Sequence, residues 1–146
     1  MEFDKDFLGK LFEQATMNTK LRQCFDLRTS SADTNQRMLI ALLPSTVVPI
    51  YRHEDTTETV VCLCGKLYEV IYEEVATCEN AASEAMPMGM DVQDVKRKIE
   101  YRKVQRIHLC PTEAKYGCQI SKGAWHMVEV IEPSVIFEAK DGMYKG

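Results

Sequence analysis

The hydrophobic positions near the start of the chain recur at helical spacing. Within residues 3–17, apolar side chains recur every three or four positions, as at Phe3, Phe7 with Leu8, and Leu11, and polar residues fill the positions between. This pattern predicts one amphipathic helix. We expect it to cover a barrel face or an edge strand of the β structure that follows.

From residue 22 onward the pattern changes to short runs rich in Val, Ile, Leu, Tyr and Thr, with Gly, Pro, Asn and Asp between them. Strands and turn signals at near-regular spacing are typical of a β-sandwich or β-barrel. Gly65 separates two of these runs and predicts a tight hairpin between antiparallel strands. The predicted strands are 23–28, 36–43, 46–51, 58–64, 66–73, 101–109, 116–120, 126–131 and 134–139.

Residues 79–100 lack strand alternation and are polar and rich in Met. We interpret them as a long loop with a short helical piece near 91–98; loops of this length are often lids, interface elements or partly disordered. The chain is thus expected to contain an N-terminal helical segment (1–20) and one all-β, jelly-roll or β-barrel domain (21–146).

Composition limits the classes of function. The chain has 146 residues and a net charge of −4, which argues against a broad nucleic-acid-binding face. We find no signal peptide and no apolar run long enough to cross a bilayer, so we expect a cytoplasmic protein with no membrane partner. The six cysteines include no CxxC pair and are interpreted mainly as small buried thiols in a reducing compartment.

Two of the three histidines lie at predicted strand ends. His53 ends one strand, Glu58 opens the next, and His126 starts another strand just after Gly123. Two imidazoles and a carboxylate that converge in a barrel mouth resemble a facial triad of metal ligands. Spacing alone leaves the alternative that these are hydrogen-bonded structural histidines. The third, His108, lies within a predicted strand, and we expect it to be structural.

These residues resemble the two sequence motifs of the cupins, G-x5-H-x-H-x3-4-E-x6-G and G-x5-P-x-G-x2-H-x3-N. His53, Glu58 and Gly65 match the first motif, and Gly123 and His126 match the second. The stretches NQRMLIALLPSTVVPIYRH, TTETVVCLCGKLYEVIYEE and KGAWHMVEVIEPSVIFEAKDG resemble the WbuC-type cupin-fold metalloproteins, small bacterial proteins of which some are linked to surface-polysaccharide gene clusters. The resemblance implies a cupin fold with a divalent metal (Zn, Fe, Ni or Mn) at His53, Glu58 and His126.

The chain departs from the cupin motifs at four positions. Tyr51 replaces the first histidine of H-x-H, and Ser45, Ser121 and Val130 replace a glycine, a proline and an asparagine. Tyr51 and His53 are two residues apart, so on a strand they share a face. Three outcomes remain open: a metal with three protein ligands and water, a metal with Tyr51 as fourth ligand, or a polar pocket that has lost its metal.

Further residues are candidates for the pocket. Arg37, inside a stretch that resembles the family, is a candidate for pairing with an anionic ligand, with a surface salt bridge as the alternative. Tyr68 is a second candidate, with half-buried packing as its alternative. Glu138 and Lys140 share a strand face, and the sequence indicates no function for them.

Two functions follow from these expectations. One is a metal-dependent enzyme acting on a small polar molecule such as a sugar derivative, with Tyr51 as an acid/base or orienting group. The other is a non-catalytic module that binds or senses a small ligand. A purely structural role is a third alternative. The resemblance also implies a homodimer, which light scattering would test.

Overall fold

The computed structural model of the chain describes residues 1–78 and 97–142; for 77, 78 and 97 it describes the backbone only. It contains helix α1 (Lys5–Met17) and a short 3-10 turn (Pro111–Glu113). The six strands are β1 (Arg22–Asp26), β2 (Asn35–Leu42), β3 (Glu58–Cys78), β4 (Arg97–Leu109), β5 (Gly117–Ile120) and β6 (Trp125–Asp141). In these residues, no helix is long and apolar enough to cross a membrane.

All strand pairs are antiparallel, and the sheet order is β1-β2-β6-β3-β4, with β5 pairing with the start of β3. The long strands β3 and β6 pair along most of their length. This arrangement forms a jelly roll, so the predicted all-β fold with a short N-terminal helix is confirmed. The interior of the jelly roll is where the predicted metal ligands are found.

Two apolar layers hold the fold together. The interior layer is centred on buried side chains of β2, β3 and β6, including Leu42, Val60 and Ile136. The second layer lies outside the sheet, where Leu11 and Ala15 of α1 are buried against the outer face of β2 and β6. Asp4 caps the helix, because its Oδ1 accepts a hydrogen bond of 2.9 Å from the Phe7 N–H. The helix therefore covers one face of the barrel.

The predicted hairpin at Gly65 is wrong. Residues 58–64 and 66–73 do not pair with each other; they form one continuous strand, β3, and the predicted strands 126–131 and 134–139 likewise form β6. The register between β3 and β6 shifts at Cys62, Cys64 and Lys66. Gly65, with φ of +93°, accommodates a β-bulge at this irregularity instead of a reversal of the chain.

Two other predictions need correction. Residues 46–51 form no strand, and only Tyr51 makes an isolated bridge, to His126. Residues 97–100, assigned to the loop 79–100 and in part to a helical piece, instead begin β4, because they pair with the far end of β3. The remainder of that predicted loop, 79–96, lies outside the described residues.

Gly65→Ala is expected to lower the free energy of unfolding by about 2–4 kcal/mol. An added Cβ would lie 2.3 Å from both the carbonyl oxygen of Pro133 and Oγ of Ser134, and the positive φ disfavours any side chain. Gly123→Ala is the matched control. Gly123 also has a positive φ, of +80°, but nothing lies within 4 Å of its Cβ position, so only the conformational cost of about 1 kcal/mol applies. Urea unfolding of both variants measures the difference, and equal losses would contradict the packing argument.

Candidate metal centre

Three predicted metal ligands meet inside the barrel. Nε2 of His53 is 3.2 Å from Oε2 of Glu58, and Nε2 of His126 is 3.5 Å from the same oxygen. One ligand atom from each residue lies within 4.8 Å of the others. Glu58 and His126 are buried, whereas 26% of the His53 side chain is exposed. The group is therefore closed on the side of Glu58 and His126 and open on the side of His53.

Backbone hydrogen bonds explain why residues distant in sequence converge here. Tyr51 and His126 exchange two of them, of 3.0 and 2.9 Å, and the Gly123 N–H donates to the His53 carbonyl at 2.7 Å. Glu58 is the first residue of β3 and pairs with both β5 and β6. The segment 51–53 is thus fixed against the start of β6, beside the start of β3.

His126 directs its Nε2 atom towards Glu58. Its Nδ1 lies 2.9 Å from the carbonyl oxygen of Ala124, which can only accept a hydrogen bond. Nδ1 must therefore carry a proton, so Nε2 is the nitrogen that a neutral His126 ring would offer to a metal. A backbone carbonyl in this position is a common support for a histidine that binds a metal.

The proton of His53 is placed differently. Nζ of Lys140 lies 3.1 Å from Nδ1 of His53, and a lysine ammonium can only donate. Nδ1 therefore accepts, and the proton of the neutral ring is on Nε2, facing Glu58. A metal at Nε2 would require this proton to move to Nδ1 and Lys140 to release that nitrogen.

The electrostatics of Glu58 fit a cation. Burial alone would raise the pKa of Glu58, but the adjacent imidazoles of His126 and His53 outweigh it and hold the pKa well below its usual range. Within the described part of the chain, the contacts of 3.2 and 3.5 Å from the two imidazoles to Oε2 of Glu58 are not aligned as hydrogen bonds, so the Glu58 oxygens and Nε2 of His126 lack a hydrogen-bond partner. A divalent cation would coordinate these buried oxygen and nitrogen atoms and so satisfy them. These residues therefore fit the implied metal.

Tyr51 lies beside this group as a neutral phenol. Its ring centroid is 4.3 Å from that of His126 and 5.2 Å from that of His53. Burial, followed by the proximity of the Glu138 and Glu58 carboxyl groups, raises the pKa of Tyr51 well above its ordinary value. In this state Tyr51 is a hydrogen-bond donor and not an anionic ligand.

A cavity of about 280 Å³ adjoins His53, one of the three predicted metal ligands. Tyr51, His53 and Glu138 line its polar side, and Arg22 and Gln36 also contribute polar groups. The other walls are mainly apolar: Met38, Ile40, Leu42, Val48, Val128 and Ile136. The cavity gives a small molecule a path to the open side of the group.

Arg37 and Tyr68, the two further candidates for the pocket, do not line this cavity. Arg37 is on the opposite face of β2 from Gln36 and forms a salt bridge of 2.9 Å with Asp33. Tyr68 is on the outer face of β3, where its ring stacks on His108. Strand alternation explains both placements, because the neighbours Gln36 and Leu67 face inwards.

Two glutamates that sequence analysis did not assign to the site are buried in the interior. Burial raises the pKa of Glu138 well above its usual range, and the charge of Glu58 adds to this. The pKa of Glu69 is also raised well above its usual range, first by burial and then by the charge of Glu58. Alternation along the strands could have indicated both, since Glu138 is two residues from buried Ile136 and Glu69 is two from buried Leu67.

Glu69→Gln is expected to remove part of the pH dependence of stability. Because the fold raises the pKa of Glu69, its contribution is greatest below the ordinary glutamate pKa and declines as pH rises towards the folded value. Glutamine does not titrate. The variant should therefore gain stability relative to the wild type as the pH rises from 4 to 8. Urea unfolding of metal-free protein at both pH values measures the gain, and parallel pH profiles would contradict the burial argument.

Comparison with solved structures identifies the fold. KdgF from Halomonas sp. is 10% identical, and the match covers 85% of this chain and 81% of that one, with a TM-score of 0.50. An oxalate oxidase in complex with the substrate analogue glycolate is 14% identical, covers 90% and 56%, and has a TM-score of 0.53. Both are cupin-fold proteins, so the jelly roll is a cupin fold. This chain spans about half the length of that oxalate oxidase.

The fold alone does not determine the function. Peruvianin-I, a cysteine peptidase from Thevetia peruviana latex, is 11% identical and has a TM-score of 0.52, with coverage of 86% of this chain and 64% of that one. Similar folds therefore occur in proteins with different activities. No curated protein matches this chain.

A family profile matches more directly. It covers residues 3–83, which include His53 and Glu58 but end before His126. Its description is "Domain of unknown function (DUF6016)", and it spans more than half of the chain. The chain therefore belongs to the DUF6016 family.

Proposed function

We propose that this protein is a small metal-binding cupin that holds a divalent cation (Zn, Fe, Ni or Mn) with His53, Glu58 and His126. The cavity beside these residues then binds a sugar-derived or other small polar molecule. One observation carries the proposal: buried ligand atoms of Glu58 and His126 lack hydrogen-bond partners in the described residues and lie within 4.8 Å of a ligand atom of His53, which lines the cavity. The resemblance to WbuC-type cupins, of which some are linked to surface-polysaccharide gene clusters, supports a sugar-derived ligand.

The cavity favours a molecule that is polar at one end. A bound divalent cation supplies Lewis acidity towards a carbonyl or hydroxyl oxygen. The neutral phenol of Tyr51 and the Glu138 carboxyl, whose raised pKa favours the protonated form, are placed to donate hydrogen bonds to oxygens of the ligand. The apolar walls exclude water from the remainder of the molecule. Arg22 adds a positive charge to the lining, which favours a ligand with an acidic group.

A non-catalytic binding module is the second candidate. The observation that favours it is the protonation of the lining. Burial raises the pKa of both Tyr51 and Glu138, which disfavours the ionised form that a general base requires. Of the carboxylates considered at this site, Glu58 is the one with a lowered pKa, and it is assigned to the metal. A site that binds and orients a ligand without removing a proton would have this arrangement.

Calorimetry on the full chain tests the proposed function. Protein loaded with Mn2+ is titrated with a panel of small hydroxy acids, sugar acids and neutral sugars, and the same panel is applied to His126→Ala. We expect at least one compound to bind the wild type only when Mn2+ is present, and not to bind His126→Ala. Lys103→Ala is the control, because Lys103 lies on the outer surface in a salt bridge with Glu129.

The outcomes separate the candidates. Chemical conversion of a bound compound, lost in His126→Ala, would establish the enzyme, and binding without conversion would establish the binding module. Equal binding with and without Mn2+ would show that the ligand does not depend on the metal, and the proposed function would then be wrong.

A further inference from the structure

A second group of ligand-type side chains lies on the outer face of the barrel, at the end of β4. His108, Cys110 and Glu113 each place one ligand atom within 4.8 Å of the others. Nε2 of His108 is 3.3 Å from Oε2 of Glu113. We propose that these three residues bind a thiophilic divalent cation of the zinc type, separately from the group in the barrel interior.

The local sequence brings the three side chains together. His108 and Cys110 are two residues apart in extended backbone, so they share a face. The chain then turns through Pro111–Glu113, and Ala114 adopts the left-handed conformation with φ of +59°. The Cys110 N–H donates to the Lys115 carbonyl at 2.8 Å and closes the turn. As a result, Glu113 folds back towards His108.

Stacking holds the imidazole of His108 in place, and its Nε2 atom is free to bind a metal. The ring of His108 stacks on Tyr68 with centroids 4.8 Å apart and an angle of 19° between the planes. The guanidinium of Arg106 lies over the same tyrosine ring, at 3.8 Å from its centroid. Nε2 of His108 is buried and has no hydrogen-bond partner in residues 1–78 and 97–142. A cation between His108 and Glu113 would satisfy this nitrogen.

The cysteine is suited to bind as a thiolate. Cys110 is 4% exposed, and its sulfur lies 3.2 Å from Oγ1 of Thr112. When a sulfur–metal bond forms, the thiol gives its proton to solvent, and the Thr112 hydroxyl can then donate a hydrogen bond to the thiolate.

The donor set selects the class of metal. A thiolate, an imidazole and a carboxylate together suit Zn2+, and three protein ligands leave one tetrahedral position for water. The Glu113 side chain is 52% exposed, so solvent reaches the site. The interior group of His53, Glu58 and His126 contains no sulfur and so differs in its spectroscopic signature. A bound cation would also fix the end of the edge strand β4 to the turn before β5.

Titration with Co2+ tests the proposal, because cobalt replaces zinc in such sites and a cobalt–thiolate bond gives a charge-transfer band in the near ultraviolet. Metal-free, reduced full-length protein is titrated, and we expect the band to saturate at about one equivalent of thiolate-bound cobalt, which added Zn2+ then removes. Cys110→Ser should abolish the band. His126→Ala should retain it, so a failure of this site is distinguishable from a failure of the interior site.

Two further variants keep the test decisive. Cys118→Ser controls for another cysteine and should retain the band. Glu113→Gln changes a side chain that is 52% exposed, and it should weaken cobalt binding by at least about 10-fold, as loss of even an outer-shell partner does. No thiolate band in the wild type, a band that persists in Cys110→Ser, or unchanged affinity in Glu113→Gln would overturn the proposal and leave His108 and Glu113 as an ordinary ion pair.

Discussion

Glu58→Gln is expected to lower the affinity of the interior site for Mn2+ by at least about 100-fold. Loss of a residue that only supports a metal ligand costs up to about 100-fold, and Glu58 is itself a ligand. Glu58 is the only carboxylate in the group formed with His53 and His126, and it is 2% exposed. Without its charge, a divalent cation would enter a buried site with two neutral imidazoles. The Coulomb attraction that offsets the desolvation of the ion would be lost. Calorimetric titration of metal-free protein with Mn2+ measures the change.

Glu69→Gln is the matched control for this prediction. Both glutamates are buried in the barrel interior and both variants remove one carboxyl group, but Glu69 does not belong to the group of convergent donors. Its raised pKa favours the neutral form, so glutamine changes little charge at that position near neutral pH. Glu69→Gln should bind Mn2+ within about 3-fold of the wild type. Equal losses in the two variants would indicate a general effect of interior charge, and unchanged binding in Glu58→Gln would remove Glu58 from the ligand set.

Stability must be followed in the same experiment. The fold lowers the pKa of Glu58, so its ionised carboxylate stabilises metal-free protein above the ordinary glutamate pKa, and this contribution is lost as pH falls through the folded value. Glu58→Gln removes the contribution at neutral pH. Circular dichroism at the temperature of the titration shows that the variant remains folded, so that weaker binding reports on the site.

The fold was predictable because alternation and turn residues recur along the whole chain. The predicted ends of β1, β2 and β5 differ from the observed ends by few residues. The failure at Gly65 has a physical cause: a glycine with positive φ serves a hairpin turn and a bulge equally well. What distinguishes them is the partner strand, β6, which runs past Gly65 on the other side of the bend. That partner is more than fifty residues away in sequence, so local pattern does not reveal it.

The candidate site shows the same division between local and long-range information. His53, Glu58 and His126 were predictable as a set through motif resemblance and their positions at strand ends. The residues that surround these three ligands could not be predicted. Lys140 contacts His53 across 87 positions of sequence, and Glu138 acts through burial beside Glu58. Both lie on the inward face of β6, which becomes recognisable only when the register between β6 and its neighbours is known.

His108 was expected to be structural because it matches neither cupin motif. Its neighbours explain why sequence analysis gave no other indication. Cys110 and Glu113 do not form a familiar zinc spacing, and the turn that returns Glu113 to His108 depends on a left-handed alanine, Ala114. A non-glycine residue with positive φ is uncommon and is not signalled by residue type.

Tyr51→His is expected to raise the affinity for Mn2+ by about 10- to 100-fold. Tyr51 is on the same side of the chain as His53, and its ring lies 4.3 Å from that of His126, at the edge of the donor group. Its pKa is raised, so Tyr51 is a neutral phenol, and its oxygen carries no negative charge with which to bind a cation. An imidazole at this position would add a fourth protein ligand, and a neutral imidazole binds a metal without first releasing a proton to solvent, as a phenol must.

Tyr51→Phe is the variant that separates the two roles left open for the tyrosine. It keeps the ring that packs between His53 and His126 and removes only the hydroxyl. If Tyr51 is not a ligand, Tyr51→Phe should bind Mn2+ within about 3-fold of the wild type, because the three donors of the site remain. If Tyr51→Phe instead loses as much Mn2+ affinity as Glu58→Gln, the Tyr51 phenolate is a ligand. The gain in affinity expected for Tyr51→His would then be smaller, because an imidazole would only replace one metal ligand with another. Direct titration of both variants therefore determines whether the site has three protein ligands or four.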